Sequence, residues 1–130
     1  FHRINKVFAS HLVAFVAFEM FQKKFNKLDL YNLLRIPEED QIIPYDEFKT
    51  VFEAVLRRVH EMYNKGEISV SPYLTGDPDK IISHGLANVG MYHAKRPLIK
   101  NKKGDISTQD LNLLFYYHNR LVGYNLEKYV

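Results

Sequence analysis

Cysteine is absent from the 130 residues. That excludes a disulfide framework, zinc sites built on thiolates, cysteine nucleophiles and cysteine-ligated clusters. Charge of one sign is also scarce, with 18 Lys and Arg against 15 Asp and Glu and a formal net charge of +3 with histidine neutral. The basic residues, among them Lys23, Lys24, Lys27, Arg57, Arg58, Lys95, Arg96, Lys100, Lys102 and Lys103, form no single long run, which argues only weakly for an anionic partner. No hydrophobic run is long enough to span a membrane. The best stretch, Val7 to Phe18, is broken only by Ser10 and His11, and Glu19, Gln22, Lys23 and Lys24 follow at once, whereas a spanning helix needs about 20 apolar residues. A helix apolar on nearly every side and this short belongs inside a protein. Nothing reads as a signal peptide, an internal repeat or a low-complexity linker.

What is present is apolar side chain: 46% of the residues are hydrophobic, including nine Phe and nine Tyr. That suffices to offset the ordering entropy of one domain. Because the sequence opens on Phe1 inside an amphipathic segment, a piece of a longer polypeptide is expected. Residues 4–25 favour a core helix. A polar break follows, and Asp29 caps a short helix to Ile36, ended by Pro37, before the acidic loop Glu38-Glu39-Asp40. From Pro44 to Lys65, Tyr45, Phe48, Phe52, Val55, Val59 and Met62 recur at spacings of three and four, which is one helical face. Pro44 suits its start, Asp46 and Glu47 complement the positive end of its dipole, and Gly66 is a left-handed stop.

After Gly66 the period changes to two, and Ile68 to Val70 reads as a strand. Asp77-Pro78-Asp79 starts a capped helix running to about His93, with Gly85 and Gly90 inside it. Each glycine costs about 1 kcal/mol against alanine, which implies close packing on a neighbouring backbone. Pro97-Leu98-Ile99 and Asp105-Ile106 flank a basic turn, Lys100 to Gly104, in a β-hairpin. Ser107 or Thr108 then caps a last helix with Asp110 in its first turn, through Leu111, Leu114, Phe115, Tyr117 and Leu121. The fold expected is one mostly α domain with a winged-helix-like core and a small antiparallel sheet.

Reactive chemistry is hard to find in this pattern. His60-Glu61 is followed by Asn64 where a zincin needs its second histidine. His11 lies in the apolar core helix, where a satisfied buried histidine is the simpler reading. Neither a glycine-rich phosphate cradle nor a hydrolase serine elbow occurs. The helix that would enter a nucleic-acid groove carries Asp77 and Asp79 against Lys80 alone, too few cations for phosphate contacts. A histidine enzyme would need His11, His60 or His118 in a cleft beside a carboxylate.

The segment Leu114-Phe115-Tyr116-Tyr117-His118-Asn119-Arg120-Leu121, with the Leu12-Val13-Ala14 helix and the elements between, resembles the C-terminal region of glycerol-3-phosphate and dihydroxyacetone-phosphate acyltransferases of the bacterial membrane-enzyme type. The likeness covers most of the chain and consists of packing segments. In that family an upstream histidine and aspartate, separated by four residues, activate the glycerol hydroxyl. Here the residues five places after the histidines are Val7, Val16, Lys65, Val89, Leu98 and Gly123, never aspartate. The family's acceptor-binding arginine segment and Pro-Glu-Gly block are missing too. The resemblance therefore implies a non-catalytic C-terminal domain without a cofactor, carried at the cytoplasmic side of the membrane by its parent. Its partners would be the upstream catalytic domain, the membrane surface or a second copy, with nucleic acid disfavoured. Tyr116, Tyr117, His118, Asn119, Arg120 and Tyr124 are the candidate interaction surface, with Tyr129 beside them and Lys102 and Lys103 at the hairpin. A domain separated from its parent should also expose an apolar patch where the partner sat.

Overall fold

Helix α1, Ala9–Lys24, holds the centre because its middle has no solvent face. Leu12, Val13, Ala14, Phe15, Val16, Ala17 and Phe18 are consecutive and all buried, so neighbours must cover it on every side. Lys23 and Lys24 close its last turn, where cations suit the negative end of the helix dipole. The computed structural model describes residues 6–25, 32, 42–66, 69–70, 74, 76–89, 98–109, 111–121, 126 and 130. The expected helix from Asp29 to Ile36, the acidic loop after it and the end of the chain beyond Leu121 fall almost wholly outside these residues.

Around α1 the order is β1 (Lys6–Val7), β2 (Ile42–Ile43), α2 (Tyr45–Asn64), β3 (Ser69–Val70), α3 (Pro78–Asn88), β4 (Ile99–Lys100), β5 (Ile106–Ser107) and α4 (Leu111–His118). A 3-10 turn, Asn119–Leu121, continues α4. Helix α1 packs most extensively on α4 and α3, then on α2. Helix α2 is amphipathic as its sequence implies, burying Phe48, Phe52, Val55, Leu56, Val59 and Met62. Pro44 precedes it, and Gly66 follows with φ 77°, a conformation that disfavours any side chain. Asp77 caps α3 by accepting from the Asp79 backbone N–H at 3.2 Å, with Pro78 in the first turn.

The domain is mostly helical with a small antiparallel sheet of order β2-β5-β4. Ile42 lies opposite Ser107 and Ile43 opposite Ile106, while Ile99 and Lys100 face the same two residues from the other side. The hairpin after α3 and the strand before α2 thus share one sheet, the winged-helix-like core. Two expectations need correction. The core helix does not start at Ile4: Lys6–Val7 is a strand, because it pairs in parallel with Ser69–Val70 and Val7 is 1% exposed. The strand after Gly66 accordingly belongs to this separate pair, and Ile42–Ile43 supplies the third strand of the hairpin sheet. A two-residue ladder held by tertiary contacts leaves no periodic trace.

Gly85 shows why a glycine occupies the middle of α3. A Cβ there would lie 2.7 Å from the Ala9 carbonyl oxygen and 2.8 Å from Val13 Cγ1. The backbones of α3 and α1 meet at this point, as expected for Gly85; Gly90 lies outside the described residues. Alanine at an open helix site would stabilise by about 1 kcal/mol. Overpacking against a backbone oxygen costs about 1–3 kcal/mol and outweighs it. Gly85→Ala should therefore lower the midpoint of urea unfolding, and an equal or higher midpoint would remove the close approach.

Candidate functional site

Three arrangements of polar or aromatic groups stand out, and the most enclosed joins α1 to α4. His118 at the end of α4 faces Glu19 on α1, with Nε2 2.7 Å from Glu19 Oε2. The side chains are 6% and 14% exposed respectively. Phe15 stacks on the imidazole at 5.0 Å and 8°, Phe18 lies at 4.7 Å and Phe115 at 5.8 Å. Nδ1 meets the Asn119 side-chain amide, Oδ1 at 3.1 Å. An amide can present oxygen to a ring N–H or nitrogen to a bare ring nitrogen, so Asn119 satisfies this edge in either protonation state. The arrangement orients an imidazole firmly. It also shields it, with His118 buried and Phe15, Phe18 and Phe115 flanking the ring.

The second cluster fixes the sheet to the helices. Tyr45 in the first turn of α2 donates its hydroxyl to Asp79 Oδ1 at 2.7 Å, and Lys49 one turn on donates to Oδ2 at 2.9 Å. Asp105 Oδ1 accepts from the Tyr45 backbone N–H at 3.2 Å. The Lys100 ammonium lies 4.2 Å from the centroid of the Tyr45 ring. Burial first, then donation to Asp79, pushes the Tyr45 phenol well above its ordinary range, and the charges of Asp79, Asp77 and Asp46 add to this. Asp79 is held below the usual carboxylate range, first by the hydrogen bond from Tyr45 and next by that from Lys49. Lys49 is raised, chiefly by its bond to Asp79. A polar recess of about 390 Å³ beside this cluster is lined by Lys100 and Lys103 but equally by Asp46 and Asp105. It favours neither sign of ion.

The third arrangement is a line of aromatic rings across the outside of α1 and α4. Phe8 meets His11 edge-on at 5.6 Å, His11 lies 6.1 Å from Tyr117, and Tyr117 meets Tyr116 edge-on at 5.6 Å. Phe8 is 42% and Tyr116 55% exposed. Elsewhere, an open apolar cavity of about 750 Å³ between α1, β2 and α2 is floored by Met20, Ile42, Ile43 and Val51.

Of the candidate surface residues, Tyr116 and Asn119 are exposed, Tyr117 is half-buried, and Lys102 and Lys103 are exposed at the hairpin. His118 departs from that surface: it lies inside, because Glu19 and three phenylalanine rings enclose it. The Arg120 side chain, Tyr124 and Tyr129 lie outside the described residues. His11, expected in the core, is half-buried at its aromatic edge, and His60 binds the Leu74 carbonyl through Nε2 at 2.7 Å. Glu19, Tyr45, Lys49 and Phe8 escaped the sequence reading. Only Glu19 carries a signal, as the first acid after the apolar run Leu12 to Phe18. Among the described residues no group of three His, Cys, Asp or Glu is placed to hold a metal ion, and no helix is long and apolar enough to cross a membrane.

The cluster around Tyr45 has a defined pH signature. Folding lowers Asp79, so its contribution is present above the unfolded carboxylate value near ~4 and is lost as pH falls through the lower folded value. Folding raises Tyr45 and Lys49, so theirs is present below their unfolded values near ~10 and lost as pH rises through the folded ones. In an ultraviolet titration Tyr45 should ionise above the ordinary phenol range, and Tyr45→Phe should delete that component while Asp79→Asn moves it down. A titration unchanged by Tyr45→Phe would contradict the assignment.

No family model, curated protein or solved structure matches the chain.

Proposed function

We propose that this chain is a non-catalytic C-terminal domain of a glycerol-3-phosphate or dihydroxyacetone-phosphate O-acyltransferase, acting in glycerophospholipid synthesis by packing on the catalytic domain. In this reading the parent protein carries the domain at the cytoplasmic side of the membrane. The observation that carries the non-catalytic part is the seat of the Glu19–His118 pair. A general base must reach the proton it removes, and this imidazole is enclosed by Phe15, Phe18 and Phe115. The family assignment draws on the resemblance of the segment from Leu114 to Leu121.

The aromatic ridge of Phe8, His11, Tyr117 and Tyr116 supports the docking role. Aromatic rings with polar tips are enriched where one side of a contact is apolar and the other wet. Phe8 directly follows β1, so polypeptide joined ahead of Phe1 would emerge within about 25 Å of the ridge. A catalytic domain fused there needs only a short path to reach it.

The β2-β5-β4 sheet favours a second reading, a winged-helix binding module. The two are separable by titrating duplex DNA at increasing salt, since phosphate contacts weaken steeply as salt rises.

The reading frame ahead of the Phe1 codon should encode a histidine and an aspartate separated by four residues. That upstream part, expressed as a second chain, should copurify with this one. Phe8→Ser with Tyr116→Ser should weaken the association at least tenfold, about the value of one lost aromatic anchor. A frame without the motif, or association indifferent to both substitutions, would overturn the reading.

A further inference from the structure

The tip of the β4–β5 hairpin is held rigidly from within. Asn101 Oδ1 accepts from the backbone N–H groups of Lys103 at 2.9 Å and Asp105 at 3.0 Å. The Asn101 N–H donates to the Asp105 carbonyl at 2.8 Å, and the Gly104 N–H returns to the Asn101 carbonyl at 2.9 Å. The tip is also braced from outside, by Asp105 on the Tyr45 backbone and by Lys100 on the Tyr45 ring. What this brace presents is Lys102 beside Lys103, both exposed. Neither ammonium joins an ion pair among the described residues. A turn that only reverses the chain gains nothing from two adjacent like charges, whereas two exposed lysines on a braced backbone bring both charges to one anionic surface.

We propose that this tip is a contact for an anionic lipid surface, with Lys102 and Lys103 at the level of the phosphate headgroups. The inference deepens the membrane placement in the proposed function and rests on that reading; a frame without the upstream motif would remove the reading, whereas the vesicle test below reads the tip alone. Phosphate is also the backbone of nucleic acid, but the surroundings of the tip disfavour a duplex. The carboxylate of Asp79 at the start of α3 lies close enough to Lys100 to feel its charge, and Asp77 and Asp46 gather with it around Tyr45. A duplex laid along α3 and the hairpin would bring its phosphates onto these carboxylates. In exchange, the solvent side of α3 offers Lys80 with the neutral Ser83 and Asn88. A bilayer makes no such demand, because lipids diffuse to the two tip lysines and need no footprint along the helix.

Each lysine near an anionic bilayer is worth about fivefold in binding, a gain that falls off within a Debye length of about 8 Å at physiological salt. The test is co-sedimentation of the 130-residue chain with phosphatidylcholine vesicles containing about one-third phosphatidylglycerol, against vesicles of phosphatidylcholine alone. Binding is expected to the anionic vesicles, to decline as salt is raised, and to weaken by about 30-fold in Lys102→Gln/Lys103→Gln. Lys23→Gln/Lys65→Gln removes the same charge from exposed sites elsewhere and should change binding by less than about threefold. Circular dichroism of both double variants should match the parent. The proposal is overturned by equal losses in the two double variants, by unchanged binding of the tip variant, or by equal or absent binding to the two vesicle types. It is equally overturned if duplex DNA binds more tightly than anionic vesicles at matched phosphate and salt.

Discussion

A helix whose middle two turns have no solvent face sets the terms for everything else in this protein. Seven successive buried residues, from Leu12 to Phe18, cannot be covered by one neighbour, so α2, α3 and α4 must each take a side of α1. Fully burying a leucine, valine or phenylalanine is worth about 1.5–3 kcal/mol, and this sum outweighs the local concessions the enclosure demands. One concession is Gly85, where α3 approaches α1 too closely for a side chain. Another is Glu19, a carboxylate at the edge of the apolar run. It is tolerated because His118 brings a hydrogen-bonding partner across from α4, its other ring nitrogen held in turn by Asn119.

The remaining polar groups position rather than enclose. Asp79 lies on α3, its two donors Tyr45 and Lys49 lie on α2, and Tyr45 is in turn bound to the hairpin through Asp105. The Lys49–Asp79 pair is partly exposed, at 33% and 47%, so solvent screens it and its worth lies in placement. The result is a hairpin fixed relative to two helices, which is what a presenting surface requires.

Much of this fold is legible in the sequence. Helix α2 announces both ends, because its apolar residues recur over five turns and Pro44 and Gly66 bracket them. The start of α3 is equally explicit in Asp77-Pro78. The hairpin follows from polar turn residues between short apolar runs. The failures share one cause. Lys6–Val7 and Ile42–Ile43 are two-residue strands whose partners are remote, and no local period survives in two residues; the strand at Ser69–Val70 is legible from its alternation, but its partner Lys6–Val7 is not. The Glu19–His118 pair spans 99 positions, so neither residue could name the other. Tyr45 reads as one more apolar member of the α2 stripe, while its hydroxyl and backbone N–H both serve contacts outside that helix. His118 sits in an aromatic run that looks like surface, and only the approach of Phe15 and Phe18 from α1 turns it inward.

The account rests on the Glu19–His118 pair as a clamp between α1 and α4, and a double-mutant cycle tests that most directly. Urea unfolding of the parent, Glu19→Ala, His118→Ala and the double variant gives the coupling free of each side chain's own packing loss. The account predicts a coupling of about 1.5–3 kcal/mol, the range for a buried hydrogen bond to a charged group. Losses that add to within about 0.5 kcal/mol would show that the two residues are stabilised independently, and the clamp would be contradicted.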